Sequence, residues 1–315
     1  MKFVRWVTFL AASTLAISIQ AFPATPSTPE SGQTLVTILP KSGPDFIPAI
    51  PAPESLQLKI DGKETPVTSV TRAQGPADPI ELVVLIDSAA RGSIGNQLPS
   101  IKNFAKELPA NTRMAVAYMA NGRAVFSGPL SSDPAQIAAG IKLPPGPVGV
   151  SGSPYFCLSD LARHWPSQDK SARREVVLIS DGIDNYQPRY DPDDPYVQAA
   201  INDSIRAGLT VYSIYWKSQG ELSRSPIISS GGQNLLQQVT DATGGYSYWQ
   251  GLSNPVSFDP YFKDLRVRFE HQYRIRFQAS GKNKPEVLSM KLKLSGTEAK
   301  LSAPQRVLVG AQTTE

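Results

Sequence analysis

The sequence predicts an α/β protein with a doubly wound, mostly parallel sheet and a small β-sandwich built from both ends of the chain. Apolar, β-branched runs alternate with segments of helical apolar spacing over roughly 190 residues. Polar and apolar residues then alternate singly near both ends, which is the period of a half-buried strand. Together these patterns are typical of a parallel sheet covered on both faces, with antiparallel flanks.

Three apolar runs predict the central strands. They read IELVVLI at 80–86, REVVLIS at 174–180 and LTVYSIY at 209–215. Unbroken runs of this composition indicate strands that are buried on both faces. Further strands are predicted at 113–119, 124–126 and 246–249. Helices are predicted at 94–105, 154–165, 197–205, 235–239 and 262–269, and another begins at 133. Asp133-Pro134 has the cap residue and the proline that begin a helix.

The flanks read as antiparallel strands. Residues 55–60 alternate polar and apolar side chains, and Asp61-Gly62 is a strong turn dipeptide, so residues 55–75 are predicted to form a β-hairpin flank. The same alternation occurs at 273–277 and 288–294, and residues 271–311 are assigned to C-terminal β strands. Residues 76–270 remain as the α/β domain.

The N-terminus has the order of a secretory signal. Lys2 and Arg5 precede an apolar run, and small residues follow it, so residues 1–21 are predicted to be a signal peptide. The run is about 14 residues, shorter than the roughly 20 of a membrane span. An uncleaved anchor is the alternative. We expect an exported protein, periplasmic or extracellular, with no membrane span after cleavage. Residues 22–54 contain eight prolines and are predicted to be a linker with one short strand at 35–39.

Composition excludes several classes of protein. The chain has 31 Lys and Arg against 27 Asp and Glu, a net charge of +4, which is too weak for a nucleic-acid partner. The single cysteine, Cys157, excludes an intrachain disulfide and a zinc knuckle, and we expect it to be buried and inert. The two histidines, His164 and His271, stand apart from any nucleophile motif, and no phosphate loop or dinucleotide glycine pattern occurs. We therefore expect no enzymatic activity.

Two predicted central strands end in an aspartate. Asp87 follows the strand at 80–86, and Asp181-Gly182 follows the strand at 174–180. Because the carboxyl ends of parallel strands meet at one edge of a sheet, where ligands bind, we expect these two carboxylates to lie close together.

The order and spacing of these motifs resemble the von Willebrand factor A domain, and more closely the bacterial exported proteins that carry a von Willebrand A-related domain. The resemblance covers about residues 56–309. The matching segments read LVVLIDS at 82–88, VLISDGID at 177–184, LTVYSI at 209–214 and ATGG at 242–245. The resemblance implies the doubly wound fold, and a metal-ion-dependent adhesion site at which hydroxyls, aspartates and water hold a divalent ion that a partner's carboxylate completes.

The first motif of that site is degenerate. The resemblance calls for Asp-x-Ser-x-Ser, and residues 87–91 read DSAAR, so Ala89 and Arg91 replace both later serines. The loss of two hydroxyl ligands and the added cation weaken any ion at this position. We expect Arg91 to serve as an internal cation that bridges Asp87 and Asp181.

The other motifs of the site are partly present. Either Ser151 or Ser153 supplies the oxygen of the family's middle threonine, and the residues leave that choice open. Asp181-Gly182 is intact, and Asp184 is the usual acidic follower. We expect no cofactor. The alternative is Mg²⁺ or Mn²⁺ held by Asp87, Ser151, Ser153 and Asp181.

The predicted function is protein–protein binding at this edge, with a degenerate or absent metal site. The partner-binding residues are predicted to be Asp87, Ser88, Arg91, Ser151, Ser153, Asp181 and Asp184. The partner is expected to be another exported or cell-envelope protein. The alternative is a structural subunit of an envelope assembly that makes its contacts through the Pro-rich N-terminus and the β flank.

One further feature stands near the same edge. Tyr186, Tyr190 and Tyr196 surround an acidic loop at 191–195. Aromatic and acidic residues on a rim suit protein recognition, and they equally suit ordinary loop packing. The loop lacks the spacing of a calcium-hand loop, so a solvated loop is the preferred interpretation.

Overall fold

The computed structural model describes residues 30–41, 50–145, 152–279, 284–295 and 299–310. The predicted signal peptide and Ser151 lie outside these residues. Within the described ranges, no helix is both long enough and apolar enough to cross a membrane.

The chain alternates strands and helices in its middle and has only strands at its ends. The first strands are β1 (Glu30–Pro40), β2 (Leu56–Ile60), β3 (Lys63–Thr65) and β4 (Val67–Arg72). The middle strands are β5 (Ile80–Ile86), β6 (Thr112–Ala120), β7 (Arg123–Phe126), β8 (Arg173–Ser180), β9 (Leu209–Tyr215) and β10 (Ser247–Tyr248). The helices are α1 (Leu98–Lys106), α2 (Pro134–Gly140), α3 (Pro154–Arg163), α4 (Pro195–Arg206), α5 (Pro226–Thr243) and α6 (Asp259–Glu270). The last strands are β11 (Gln272–Ala279), β12 (Glu286–Leu294), β13 (Ala299–Ser302) and β14 (Arg306–Val309).

The middle strands form one sheet in the order β10-β9-β8-β5-β6-β7. Neighbouring strands are parallel, except that β6 and β7 are antiparallel. From β5 the chain moves outward through β6 and β7, then returns to β8 and moves outward on the other side. The order therefore reverses between β5 and β8, which is the switch point of a doubly wound sheet. The predicted fold class is confirmed.

Four helices begin with the same two-residue signal, a capping oxygen followed by proline. The pairs are Asp133-Pro134, Ser153-Pro154, Asp194-Pro195 and Ser225-Pro226. Each cap side chain accepts a hydrogen bond from a backbone N–H of the first turn, and the proline lacks an N–H that would otherwise need a partner. The caps at Ser153, Asp194 and Ser225 mark where loops at the carboxyl edge of the sheet end.

Apolar side chains cover both faces of this sheet. One face packs against α1, α2 and α6, through residues such as Ile101, Ile137 and Leu265. The other packs against α3, α4 and α5, through Leu158 and Ile201 among others. The strands β5 and β9 are buried along their whole length, because helices lie on both sides.

The flanking strands form two antiparallel sheets, in the orders β13-β1-β11-β4 and β14-β12-β2-β3. Side chains from both sheets share two apolar clusters, in which Phe277 meets Leu58 and Ile275 lies with Leu56. This is the predicted β-sandwich. It packs at the amino ends of the parallel strands, since Arg173, the first residue of β8, donates from Nη1 to Gln272 Oε1 of β11 at 2.8 Å. The carboxyl edge of the central sheet lies at the opposite end.

The interpretation of residues 22–54 as a linker needs correction. This proline-rich range contains an 11-residue strand, β1, which pairs with β11 on one side and β13 on the other. The proline signal dominates the composition, although prolines are absent between Glu30 and Leu39. The strand is held by backbone pairing with residues more than 200 positions later, which no local pattern reports.

Candidate functional site

Asp87 lies where β5 ends, next to the end of β8. Its Oδ1 accepts a hydrogen bond from the Ala89 N–H at 2.8 Å and thereby caps a short 3-10 turn. Its Oδ2 accepts a hydrogen bond from the Ser180 hydroxyl at 2.7 Å. Ser180 is the last residue of β8, so this bond joins the two strands at the switch point.

Asp181 follows directly and is held by a second serine. Its Oδ1 accepts from the Ile183 N–H at 3.0 Å, and its Oδ2 accepts from the Ser223 hydroxyl at 2.8 Å. Ser223 comes from the loop between β9 and α5, so this contact ties a third strand's loop to the site. The backbone then turns at Gly182, whose φ is +70°, a value that favours glycine.

Helix α5 approaches this turn at Gly232. A Cβ at Gly232 would lie 2.3 Å from the Asp181 carbonyl oxygen, and a Cβ at Gly182 would lie 2.3 Å from the Gly232 oxygen. Only paired glycines allow this backbone approach. The sequence signal for such a contact is a pair of glycines within a helical segment, here Gly231-Gly232.

Ser153 and Asp184 form a third acid–serine pair. The Ser153 hydroxyl donates to Asp184 Oδ2 at 2.9 Å, and Asp184 Oδ1 accepts from the Tyr186 N–H at 2.8 Å. The Tyr155 hydroxyl donates to the Gly182 carbonyl at 2.8 Å beside them. Burial, followed by the nearby carboxylates, raises the pKa of Tyr155 well above its usual range, so this tyrosine stays a neutral donor.

Arg91 does not have the predicted role. Its guanidinium donates to the Pro144 carbonyl, and among the ion pairs of the described residues none joins Arg91 to Asp87 or Asp181. The hydroxyls of Ser180 and Ser223 meet the two carboxylates instead. Short serines at strand and loop ends reach these oxygens without the desolvation that a buried guanidinium requires.

Most of the residues that the sequence predicts to contact a partner are buried. Asp87 and Asp184 are each only 2% exposed, Ser153 is fully buried, and Ser88 is turned inward to donate to the Met119 carbonyl. The structure therefore places these side chains beneath the surface, where they organise the loops. Asp181 and the half-buried Arg91 lie closer to solvent, and Ser151 lies outside the described residues.

A cleft opens above Asp181. It has a volume of about 190 Å³. The residues that line it are Ala89, Asp181, Asn185, Ser218, Gly220, Glu221, Leu222 and Ser223. The Ala89 methyl thus faces the position where the resemblance implies a hydroxyl ligand.

The described residues do not fit the donor set of a magnesium or manganese site. Ala89 brings no oxygen, Arg91 adds a cation, and an ion would have to share the carboxylate oxygens of Asp87 and Asp181 with hydrogen-bond donors of the protein. Magnesium requires near-octahedral oxygen coordination. Across the described part of the chain, no group of three or more His, Cys, Asp or Glu side chains is arranged to hold a metal.

The sheet order, with an aspartate at the end of each strand that flanks the switch point, has the arrangement implied by the sequence resemblance. By this strand order and these strand-end aspartates the fold is von Willebrand A-like. No family model and no curated protein matches the sequence.

Solved structures with similarity to this chain come from several sources. An aerotolerance-related membrane protein from Bacteroides fragilis NCTC 9343 is 14% identical, with 60% of this chain and 98% of that chain covered and a TM-score of 0.44. Proximal thread matrix protein 1 from the mussel byssus is 16% identical, with 64% and 49% covered and a TM-score of 0.42. The SpRpn10 VWA domain is 12% identical, with 56% and 92% covered and a TM-score of 0.36.

The rim of the von Willebrand A-like domain carries exposed apolar side chains. Ten large apolar residues are exposed in the described part of the chain, and six of them lie between the carboxyl end of a sheet strand and the first turn of the next helix. These six, here called the apolar rim, are Tyr186, Tyr190, Tyr196, Ile227, Trp249 and Val256. Tyr186 is 69% exposed, Ile227 84% and Val256 94%. The three tyrosines stand out in the sequence beside the acidic loop, whereas Ile227, Trp249 and Val256 have no local sequence signal.

Two rim tyrosines share one aromatic support. The Phe156 ring, in the first turn of α3, lies 4.7 Å edge-on from Tyr196 and 5.6 Å from Tyr186. These contacts restrain both rings while a large part of each stays in solvent. Both tyrosines therefore take part in loop packing and still remain exposed to solvent.

The remaining candidates have internal partners. Asp194 caps α4, and Asp191 Oδ1 accepts from the Asp193 N–H at 2.9 Å, so hydrogen bonds organise the acidic loop. His164 Nδ1 lies 3.1 Å from Asp160 Oδ1, one helical turn away. His271 Nδ1 lies 2.7 Å from the Val267 carbonyl. Burial raises the pKa of the Cys157 thiol to about 12, which leaves it protonated near neutral pH.

Proposed function

We propose that this chain is an exported, non-catalytic protein-binding module that engages its partner through the apolar rim and holds no resident metal ion. The single observation that carries the proposal is the concentration of exposed tyrosine, tryptophan and aliphatic side chains at one edge of the sheet. Tyrosine and tryptophan are enriched in interface cores and hot spots, and soluble surfaces seldom expose such residues together.

The buried acid–serine pairs support this role. Asp87 with Ser180, Asp181 with Ser223, and Ser153 with Asp184 hold the loops that carry the rim. A surface held in place before binding loses less conformational entropy when the partner arrives. The charged groups of the family's metal site thus act as loop supports in this chain.

The partner is expected to be another exported or cell-envelope protein, since the N-terminus has the composition of a secretory signal. The surface favours an apolar contact patch on that partner. A partner carboxylate that completes a metal site is disfavoured, because the donor set does not suit the ion.

The alternative is a structural subunit that makes its contacts through the β flank. A groove of about 440 Å³ on the sandwich favours it, with Leu56, Leu58, Pro66 and Val67 among its lining. Deleting residues 22–54 does not separate the two proposals, because it removes the central strand β1. Probes at surface positions of each domain are needed to separate the two proposals.

Site-specific photo-crosslinking in the native host tests the proposal. A photoreactive phenylalanine analogue is placed at Tyr186 or Ile227 on the rim, at the exposed Val125 on β7, and at Gln57 beside the sandwich groove. We expect the same partner to be crosslinked from both rim positions and from neither of the others. A product from Gln57 alone supports the structural-subunit alternative and overturns the rim proposal.

Binding of the identified partner then measures the contribution of the rim. We expect the Tyr186→Ser/Ile227→Ser variant to bind at least about tenfold more weakly, since two exposed apolar anchors are lost. The matched control is Val125→Ser, whose side chain is exposed on a different edge. EDTA should leave the affinity unchanged.

A further inference from the structure

A buried polar cluster joins the von Willebrand A-like domain to the sandwich. Arg173, the first residue of β8, donates from Nη1 to the Phe269 carbonyl at 2.7 Å and to Gln272 Oε1 at 2.8 Å. Gln272 begins β11 and donates from Nε2 to Glu175 Oε1 at 2.8 Å. One glutamine side chain of the sandwich therefore bridges a cation and an acid of the central sheet.

Glu175 is incompletely satisfied in this cluster. It is fully buried, and none of the residues that the structure describes donates a hydrogen bond to its Oε2. Among the ion pairs of the described residues, none involves Glu175. Burial disfavours an ionised carboxylate that has one unpaired oxygen, relative to its neutral form.

A second buried glutamate provides the contrast. Glu81 lies on the adjacent strand β5 and is also fully buried. It is paired with the Arg113 guanidinium, and its Oε2 accepts from Trp165 Nε1 at 2.6 Å. The same residue type thus occurs twice at the same end of one sheet, once with an ion-pair partner and once without.

The groups that face Glu175 come from four directions. Arg173 lies on its own strand, and Tyr212 lies on β9. Gln272 faces it from β11, and from β5 the residue in register is Leu82, which is uncharged. The pKa of Tyr212 is in turn influenced by Arg268 from α6 and by the Thr37 side chain from β1.

These surroundings decide the protonation of Glu175. Burial raises its pKa to about 7, and the opposing contributions of Gln272 and Arg173 are smaller. The folded-state pKa lies above the ordinary value of 4.5, so the folded chain holds this proton more tightly than the unfolded chain does. The resulting stabilisation is complete below about 4.5 and is lost as the pH rises through about 7.

We propose that Glu175 is a pH-sensitive joint between the two domains, which pack tightly when its carboxyl group is protonated and loosen when it is ionised. Ionisation leaves a buried charge whose Oε1 accepts a hydrogen bond from Gln272 Nε2 and whose Oε2 has no donor among the described residues. The charge is relieved when water enters between β8 and β11, which separates the sandwich from the lower end of the sheet. The carboxyl edge, at the other end of the strands, is not part of this movement.

Native-state hydrogen exchange on the full chain tests the proposal between pH 5 and 8, with rates corrected for intrinsic exchange. We expect protection of the β1 and β11 amides to fall by roughly two orders of magnitude across this range, as a pKa rise of this size implies. Protection in β6, within the α/β domain, should change little. In Glu175→Gln the fall should disappear, and in the matched Glu81→Gln variant it should remain.

Either of two exchange results overturns the proposal. One is a pH-independent protection of β1 and β11 in the wild type, or a fall that persists in Glu175→Gln. The other is an equal fall in β6, which indicates a change of global stability without a joint. Should Glu175→Gln fail to fold, ¹³C-carboxyl NMR of the wild-type chain decides: a Glu175 midpoint near 7 supports the proposal, and one near 4.5 refutes it.

Discussion

The Ser180 hydroxyl donates to Asp87 Oδ2 at 2.7 Å and joins the carboxyl ends of β8 and β5 at the point where the sheet order reverses. Both residues are buried. The bond lies at the position at which doubly wound sheets ordinarily receive a ligand. The chain therefore stabilises its strand-end acid with its own hydroxyl.

Replacing Ser180 by alanine should lower the free energy of unfolding by about 2 kcal/mol, because a buried carboxylate loses a hydrogen-bond donor. Urea unfolding measures the change. The matched control is Ser230→Ala on α5, which removes a hydroxyl from an exposed serine and should change stability by less than about 0.5 kcal/mol. A loss for Ser180→Ala as small as that of the control would contradict the importance of this bond.

Replacing Gly232 by alanine should destabilise the protein by about 3 kcal/mol, although glycine-to-alanine changes within helices usually stabilise. The added Cβ would lie 2.3 Å from the Asp181 carbonyl oxygen, and backbone atoms on both sides must move. Thermal unfolding measures the effect, with Gly128→Ala as the control because a Cβ there meets nothing within 4 Å. A neutral or stabilising result at Gly232 would show that the two backbones can separate at little cost.

Divalent ions should leave the melting temperature unchanged, whether the protein is treated with EDTA or with millimolar magnesium, manganese or calcium. An ion at about 100 times its dissociation constant adds roughly 2.7 kcal/mol, which corresponds to several degrees in a chain of this size. A rise of that size, lost in Asp181→Ala, would establish a metal site despite the poor donor set.

Restoring the missing hydroxyls tests whether their loss is the reason that divalent ions are expected not to bind. The Ala89→Ser/Arg91→Ser variant regains the two serines of the family motif, and we expect it to gain a magnesium-dependent rise in melting temperature. If the variant stays indifferent to magnesium, the hydrogen bonds from Ser180 and Ser223 are the stronger obstacle.

Cys157 should resist thiol reagents in the native protein at pH 8. It is fully buried, and burial raises the pKa of its thiol to about 12, so the reactive thiolate is scarce until the pH approaches that value. Reaction with Ellman's reagent should become complete only in denaturing urea. Rapid labelling of the folded chain would mean that α3 opens from the sheet on the timescale of the reaction.

Local sequence patterns were sufficient to predict the central strands of the α/β domain and the start of one of its helices. Unbroken apolar runs predicted β5, β8 and β9, and the cap-proline pair Asp133-Pro134 marked the start of α2. Period and capping are properties of neighbouring residues, which is why they are readable without a structure. The aspartates at the ends of β5 and β8 were predicted for the same reason.

The support of those aspartates was not predictable in this way. Ser223 reaches Asp181 across 42 positions, and Ser180 reaches Asp87 across 93. Arg91, the obvious partner by charge, donates instead to the Pro144 carbonyl. Charge complementarity suggests candidates for a contact, and the geometry of loops from different strands selects among them.

The amino-acid sequence by itself determined the alternation of strands and helices, the doubly wound sheet, the two strand-end acids and the absence of the family's two serines at Ala89 and Arg91. Only the tertiary structure decided that the acids are buried under their own loops, that β1 is a central strand of the sandwich, and that Glu175 lacks the partner that Glu81 has. The physical reason is the separation along the sequence between the residues that interact. Secondary structure follows from interactions within a few residues, while burial, pairing and protonation depend on contacts between segments that folding brings together.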